Sequence, residues 1–433
     1  MRRKRSLLKS SLRASLAAAL LFATLMVLSG CGGTKAPLVG LPTPPPAGEV
    51  NSYVGKPGNS PSDNSLWSVT IDRSKNVYSY GPTSGNTAPT TGSIATLNNN
   101  FVILLDQHGY QSGLAVEVPG QAIILRPGSS AAPLIFAVQQ TSCFAIGGNV
   151  KFLYALSPGL SSSNTAFFGQ IYAATSADGG SWQFNNQTNY LSPYVFQVQN
   201  NSNVPSDAEF PGYPAGYPAT CNGTAGGATV SATPLAYFNN GANSYSVPTQ
   251  LVISPGGLFF ENQSYANVPA SEGWQYANVS AWGVTEPSAP FTVASVAAAN
   301  YLGFLFEANP SSAIYRTRLV GFGNAPISGT VMNGGTFPSE DPTQLPSTNM
   351  SVTFNTQDPL TNGLYYLAKL TIPNDAPTTF TASCLSFGVS QTGDSTCTND
   401  GVAMVGKQNG LYTIILSASD TSGNQKTLVL FQQ

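Results

Sequence analysis

The chain has one histidine, His108, in the turn-like run Asp106-Gln107-His108-Gly109, so a Ser-His-Asp or Cys-His arrangement would have a single imidazole to draw on. No G-x-S-x-G or H-E-x-x-H motif occurs. Residues 401–407 (GVAMVGK) approach a phosphate-cradling loop, but Gln408 stands where the Mg²⁺-holding hydroxyl should be. His108 therefore reads as a solvated turn residue. Carboxylate pairs such as Asp207 with Glu209 or Glu340 with Asp341 have the chemistry of glycoside hydrolysis. Any two of 19 acids make such a pair, however, and these sit in loop-like sequence where they read as solubilising groups. Residues 398–401 (TNDG) and 420–424 (DTSGN) offer oxygens to Ca²⁺ but lack the acidic spacing of a calcium loop, so both read as turns. No metal or cofactor is expected.

Binding chemistry is better represented. Residues 210–218 (FPGYPAGYP) place Tyr213 and Tyr217 in a Pro-rich segment that cannot be a central strand. Trp274, Tyr276 and Trp282 lie close together beside Gln275, Asn278 and Ser280. Rings with nearby amides suit recognition of sugar or peptide, because an aromatic face offers apolar area at low entropic cost. The even spacing of Trp274, Tyr276, Asn278, Ser280 and Trp282 equally fits one face of a strand, with the rings packed inside or over the end of a β-structure.

Cysteine chemistry divides in two. Six of 17 basic residues (Arg2, Arg3, Lys4, Arg5, Lys9, Arg13) precede the apolar run 15–28 (SLAAALLFATLMVL), which is short for a membrane span. Leu28-Ser29-Gly30-Cys31 follows, then Gly32 and Gly33. This succession of basic head, apolar run, small residues and Cys resembles the lipobox signal peptide of bacterial lipoproteins. The resemblance covers about 35 residues. It implies that Cys31 receives a diacylglycerol, that cleavage falls before it and that its amino group is acylated, usually with a palmitate-like chain. The Gly at position 32, in place of a retaining Asp, implies release to the outer membrane. A plain secretory signal or a transmembrane anchor are the alternatives. Cys143, Cys221, Cys384 and Cys397 remain, an even number in an exported chain, and three pairings are open to them. Cys384 with Cys397, across a Gly/Ser/Thr-rich loop, and hence Cys143 with Cys221, is the favoured reading.

The elements that must position these groups are strands. Trp67, Val69 and Ile71 alternate with Ser68, Thr70 and Asp72. Residues 114–118 and 122–126 flank Pro119-Gly120-Gln121 as a hairpin should, and 411–418 and 427–432 flank a turn cluster. Residues 101–105, 134–138, 150–156, 167–173, 302–306, 363–372 and 380–389 are further strand candidates, and residues 293–301 the nearest approach to a helix. The expected fold is all-β, antiparallel sandwich or barrel modules, with a β-propeller as the alternative. Three segments at 132–138, 149–155 and 166–172 are echoed at 289–295, 300–306 and 313–319, which suggests two related modules. The expected organisation is a signal peptide (1–30), lipidated Cys and Pro/Gly-rich linker (31–64), and β modules at 65–262 and 263–433.

Only 8% of the chain is charged, against roughly 25% in an ordinary soluble domain. Loss of residues 1–30 leaves eleven basic against 19 acidic residues, a formal −8, which disfavours nucleic acid and anionic lipid surfaces as partners. The sequence thus points to a non-enzymatic, disulfide-stapled lipoprotein of the bacterial cell envelope, outer membrane or cell surface, binding a glycan or protein. A secreted glycan hydrolase and a structural envelope component are the competing functions.

Overall fold

The computed structural model describes residues 48–57, 66–96, 100–128, 134–147, 150–156, 167–191, 217–222, 229–239, 244–254, 256–264, 278–309, 314–323, 329–341, 344–354, 356–357, 361–373, 385–386, 389–390, 396–408, 410–419 and 425–433. It is an all-β chain of closed antiparallel sheets. The first barrel comprises β1 (Val50–Pro57), β2 (Trp67–Asp72), β3 (Val77–Pro82), β4 (Thr90–Thr96), β5 (Phe101–Leu105), β6 (Gln111–Val118), β7 (Ala122–Pro127) and β8 (Ile135–Gln139), closed by β1 against β8 in the register Val54↔Val138. The second comprises β9 (Val150–Leu156), β10 (Phe167–Thr175), β11 (Ser181–Leu191), β12 (Tyr217–Asn222), β13 (Thr229–Asn239), β14 (Ser244–Ile253), β15 (Leu258–Ser264) and β16 (Asn278–Thr285), closed by Trp282↔Ala155.

A short helix, α1 (Val293–Ala297), leads into a third sheet, with the Thr292 hydroxyl accepting from the Ser295 N–H. This sheet contains β17 (Tyr301–Asn309), β18 (Ile314–Phe322), β19 (Val331–Thr336), β20 (Met350–Thr353), β21 (Thr356–Gln357), β22 (Leu364–Pro373), β25 (Thr396–Gln408), β26 (Leu411–Ser419) and β27 (Gln425–Gln432). β23 (Leu385–Ser386) and β24 (Val389–Ser390) pair separately. Because β20 pairs with β22 through Val352↔Leu370, and β17 with β27, eight strands of the third sheet also form a ring, with β21 prolonging β20 along β22. These closed barrels stand where the propeller alternative would have had radial blades.

Sequence pattern follows burial. On β2, β3 and β4 the apolar positions alternate: Val69, Ile71, Tyr78 and Ile94 fill the first barrel with Tyr53, Val102, Ala115 and Ile123. The intervening Ser68, Thr70, Ser79, Thr91 and Ser93 face outward. β6, β7, β8, β25, β26 and β27 read instead as apolar runs (LAVEV, AIIL, IFAV, GVAMV, TIIL, TLVLF), because both of their faces are covered. One face of the runs in the third sheet fills its interior, with Leu305, Val320, Leu370, Val405, Leu416 and Leu430. The other joins a shared core in which Val116, Ile124 and Phe136 of the first barrel meet Leu153, Phe260 and Trp282 of the second and Phe304, Met404 and Val429 of the third. Gly55 on β1 and Gly303 on β17 sit where neighbouring backbone passes so close that a Cβ would fall 1.9 Å from the carbonyl oxygens of Phe136 and Val429.

Two expectations about organisation meet the structure differently. β1 occupies residues expected in the linker, where it pairs with β2 on one side and β8 on the other. Residue 262, the expected module boundary, falls inside β15. Of the echoed segments, β9 with β10 and β17 with β18 are antiparallel pairs, whereas residues 289–295 enter α1 instead of a strand. Cys143, in the connection between the first two barrels, is bonded to Cys221 on β12 with a Cα separation of 6.0 Å.

Candidate functional site

The outer wall of the first barrel carries a groove of about 640 Å³ over β2, β3 and β4, walled by the turn between β5 and β6. Register builds it. Ser52 lies opposite Thr70, Thr70 opposite Ser79 and Ser79 opposite Thr91, so four hydroxyl residues from four strands form one row. The first two approach to 3.5 Å. Asp72, Val77 and Ser93 form the next row.

Two carboxylates border this floor. The Ser74 hydroxyl (2.6 Å) and the backbone N–H of Lys75 (3.0 Å) donate to Asp72 Oδ1, and the Lys75 ammonium lies 3.3 Å from Oδ2. These contacts hold the Asp72 carboxyl below the usual carboxylate range. Asp106 sits in the opposite wall and accepts the backbone N–H groups of Tyr110 (2.9 Å) and His108 (2.8 Å), which hold it low as well. His108 is an exposed turn residue, as its sequence context predicts.

Beneath the groove the barrel interior is aromatic. Trp67 stacks on Tyr80 at 6.3 Å between centroids and Tyr80 on Tyr78 at 5.9 Å. The Tyr78 hydroxyl lies 2.9 Å from Ser112 Oγ. Burial raises the Tyr80 phenol above its ordinary value.

The opposite end of the same barrel is plugged by Glu117, whose side chain is fully buried. Tyr53 Oη and Asn51 Nδ2 (3.1 Å) donate to Oε1, and Arg73 donates to Oε2. Tyr53 Oη in turn accepts the Gly120 N–H at 3.0 Å, fixing the hairpin loop in which Gly120 has φ +72°. Burial, followed by the Glu117 charge, pushes the Tyr53 phenol well above its ordinary value, so it stays protonated and donating. A second buried acid, Glu307 in the third barrel, is held by Arg316 through Nε (2.7 Å) and a second nitrogen (2.9 Å), and by Arg318 at 2.9 Å. Arg126 of β7 crosses to the third sheet, donating through both terminal nitrogens to Glu340. These groups are paired across strands and barrels, which is the work of structure.

The residues singled out by sequence fare unevenly. Trp282 does not face a ligand: it is 1% exposed and stacks on Phe136 of the first barrel at 5.3 Å, where the second barrel packs against it. Glu340 is no free solubiliser, and its partner Arg126 lies 214 residues away in the chain. Residues 398–408 lie within β25, so neither a Ca²⁺ turn nor a phosphate loop forms there. Tyr217 and Cys397 lie in β12 and β25. Cys31, Tyr213, Trp274, Tyr276, Cys384, Asp207, Glu209 and residues 420–424 lie outside the described residues. Among the described residues no three His, Cys, Asp or Glu side chains gather as metal ligands. The groove itself was not anticipated; its signal was the outward set of Ser and Thr in β2 to β4, which becomes a site only once the register aligns them.

No family model matches the chain, and no curated protein matches it. Among solved structures it is similar to the isotype 1 transferrin binding protein B from serogroup B Neisseria meningitidis, at 11% identity over 85% of this chain and 65% of that one, with a TM-score of 0.28. It is similar also to intact Ap-TbpB with its N and C lobes (9% identity, 92% and 79% coverage, TM-score 0.26). A third likeness is to a protein of unknown function of the DUF3598 family from Nostoc punctiforme (7% identity, 66% and 95% coverage, TM-score 0.21). The chain thus spans about two thirds of the length of the Neisseria protein. The fold assignment rests on the strand pairings themselves.

Proposed function

We propose that this protein is a lipid-anchored lipoprotein of the bacterial cell envelope, exposed at the outer membrane or cell surface, that binds a glycan or protein ligand without turning it over. The observation that carries the non-catalytic reading is the state of the two groove acids. Glycoside hydrolysis needs one carboxyl raised so that it can serve as general acid near neutral pH. Asp72 accepts from the Ser74 hydroxyl and the Lys75 N–H, and Asp106 from the Tyr110 and His108 N–H groups; these contacts favour the ionised form of both and so suit neither to the general-acid role. The membrane attachment is supported by the run that ends in Cys31, followed by Gly32. Two or three acyl chains, each buried CH₂ contributing about 0.8 kcal/mol, suffice to hold a protein on a bilayer. The second disulfide, Cys384 with Cys397, and the rings of Tyr213, Trp274, Tyr276 and, at the start of β12, Tyr217 as ligand contacts belong to the same proposal.

Two measurements test it on the full chain expressed in a bacterium. Intact-mass spectrometry should show an acyl mass on the parent that vanishes in Cys31→Ala; an unmodified parent sinks the anchor. Incubation with a glycan panel should give binding with no new reducing ends. Release of products that stops in Asp72→Asn or Asp106→Asn would replace the binding reading with the hydrolase.

A further inference from the structure

We propose that the groove on the first barrel is a binding site for an uncharged oligosaccharide. The inference rests on the ligand-binding reading above and names the place and the chemistry. A volume of about 640 Å³ is in the range of small-molecule sites and accommodates a few sugar rings. Its floor offers the hydroxyls of Thr70, Ser79, Thr91 and Ser93, each able to donate and accept, on adjacent strands in register. Sugar hydroxyls along an extended chain need that alternation of donor and acceptor. Asp106 borders the groove on one side as a carboxylate acceptor for vicinal hydroxyls, its two backbone donors both falling on Oδ1, while Asp72 on the other side is buried and committed to Ser74 and Lys75. The amide of Gln107 adds a donor and an acceptor at the rim.

Charge and topology exclude the nearest competitors. No Lys or Arg lines the groove, and Lys75 at its border is already paired with Asp72 at 3.3 Å, so phosphate, sulfate or uronate groups would meet the two carboxylates without an uncommitted cation in the lining. A peptide adding itself as a strand needs a free sheet edge, and β2, β3 and β4 are each paired on both sides. The hydroxyl side chains of the site project from strands paired on both sides and backed by the stacked Trp67, Tyr80 and Tyr78, a placement that lowers the ordering cost of weak polar recognition.

The test uses the full-length, detergent-solubilised protein on an array of neutral oligosaccharides of the glucose, mannose, xylose and N-acetylglucosamine series, with sialylated and sulfated glycans and a Lys-rich peptide as comparators. At least one neutral series should bind, and the binding should resist salt. Ser79→Ala with Thr91→Val removes two outward hydroxyls and should weaken that binding about tenfold with an unchanged melting curve. Leu345→Ala, on the exposed connection between β19 and β20, should leave it unchanged. Absence of any neutral binder overturns the proposal, as does preference for the anionic glycans or the Lys-rich peptide. Neutral binding that survives the double substitution but disappears in Trp274→Ala also overturns it, while leaving the broader ligand-binding reading standing.

Discussion

Replacing Glu340 by Ala should destabilise the protein through a residue in a different barrel. Arg126 is 2% exposed, and its guanidinium lies 5.9 Å from the centre of the Phe304 ring with one further acceptor, the Thr317 carbonyl, at 3.4 Å. Without Glu340 a cation is stranded in the shared core. Breaking a buried pair from one side costs about 3–5 kcal/mol, and the lower end applies because the Glu340 side chain is 36% exposed and part of the attraction is screened. The expected loss is therefore about 3 kcal/mol. Arg126→Met keeps the aliphatic contact with Phe304 and lets Glu340 hydrate, so it should cost only about 1 kcal/mol. In that background Glu340→Ala should cost less than about 0.5 kcal/mol, a coupling of 2 to 3 kcal/mol in the double-mutant cycle. Urea unfolding of all four proteins, followed by tryptophan fluorescence and far-UV circular dichroism, measures it. A Glu340→Ala variant within about 0.5 kcal/mol of its parent in both backgrounds would refute the packing of the first barrel on the third.

Trp282→Ala should cost about 3–5 kcal/mol in the same assay, because it opens a large void between two barrels; loss of ligand with unchanged stability would instead return this ring to the surface. Removing the Cys143–Cys221 bond by a double Ala substitution should cost about 2–5 kcal/mol, read as the drop in urea midpoint under non-reducing conditions, and reductant should then have no further effect on that segment. Burial alone would raise the Glu307 carboxyl, but Arg318, Arg316 and Lys426 outweigh it and hold it below its ordinary value. The stability Glu307 contributes is thus whole above the unfolded-chain value near 4.5 and is lost as pH falls through the lower folded value. Glu307→Gln should be markedly less stable at pH 7, with the gap to the parent narrowing as pH falls below about 4.5; a gap independent of pH would contradict the ion-pair reading.

The strands were legible because their burial is written locally. Alternation at Trp67, Val69 and Ile71 marks a sheet with one wet face, and unbroken runs such as Ile123 to Leu125 mark strands covered twice. The seams were not legible. β1 closes on β8 and β16 on β9 through pairings between residues about 80 to 130 positions apart, and nothing in residues 50–57 announces them. Gly55 and Pro57 read as linker sequence, although Gly55 is what lets two backbones meet. The same distance hid the role of Glu340 and the coherence of the groove, whose row of hydroxyls takes one residue from each of four strands. Trp282 shows the converse: its even spacing from Asn278 and Ser280 fits one face of β16, while only the neighbouring barrel decides that its ring is dry.

Sheet closure takes one route to association away from a chain with only 8% charged residues. Open sheets invite edge-to-edge association and are ordinarily guarded by lysines and other charges along the rim. The three ring-closed sheets expose no such rim, since each strand of a ring has a partner on either side. Any variant that opens a ring, at the β1–β8 seam for instance, should betray itself first as aggregation.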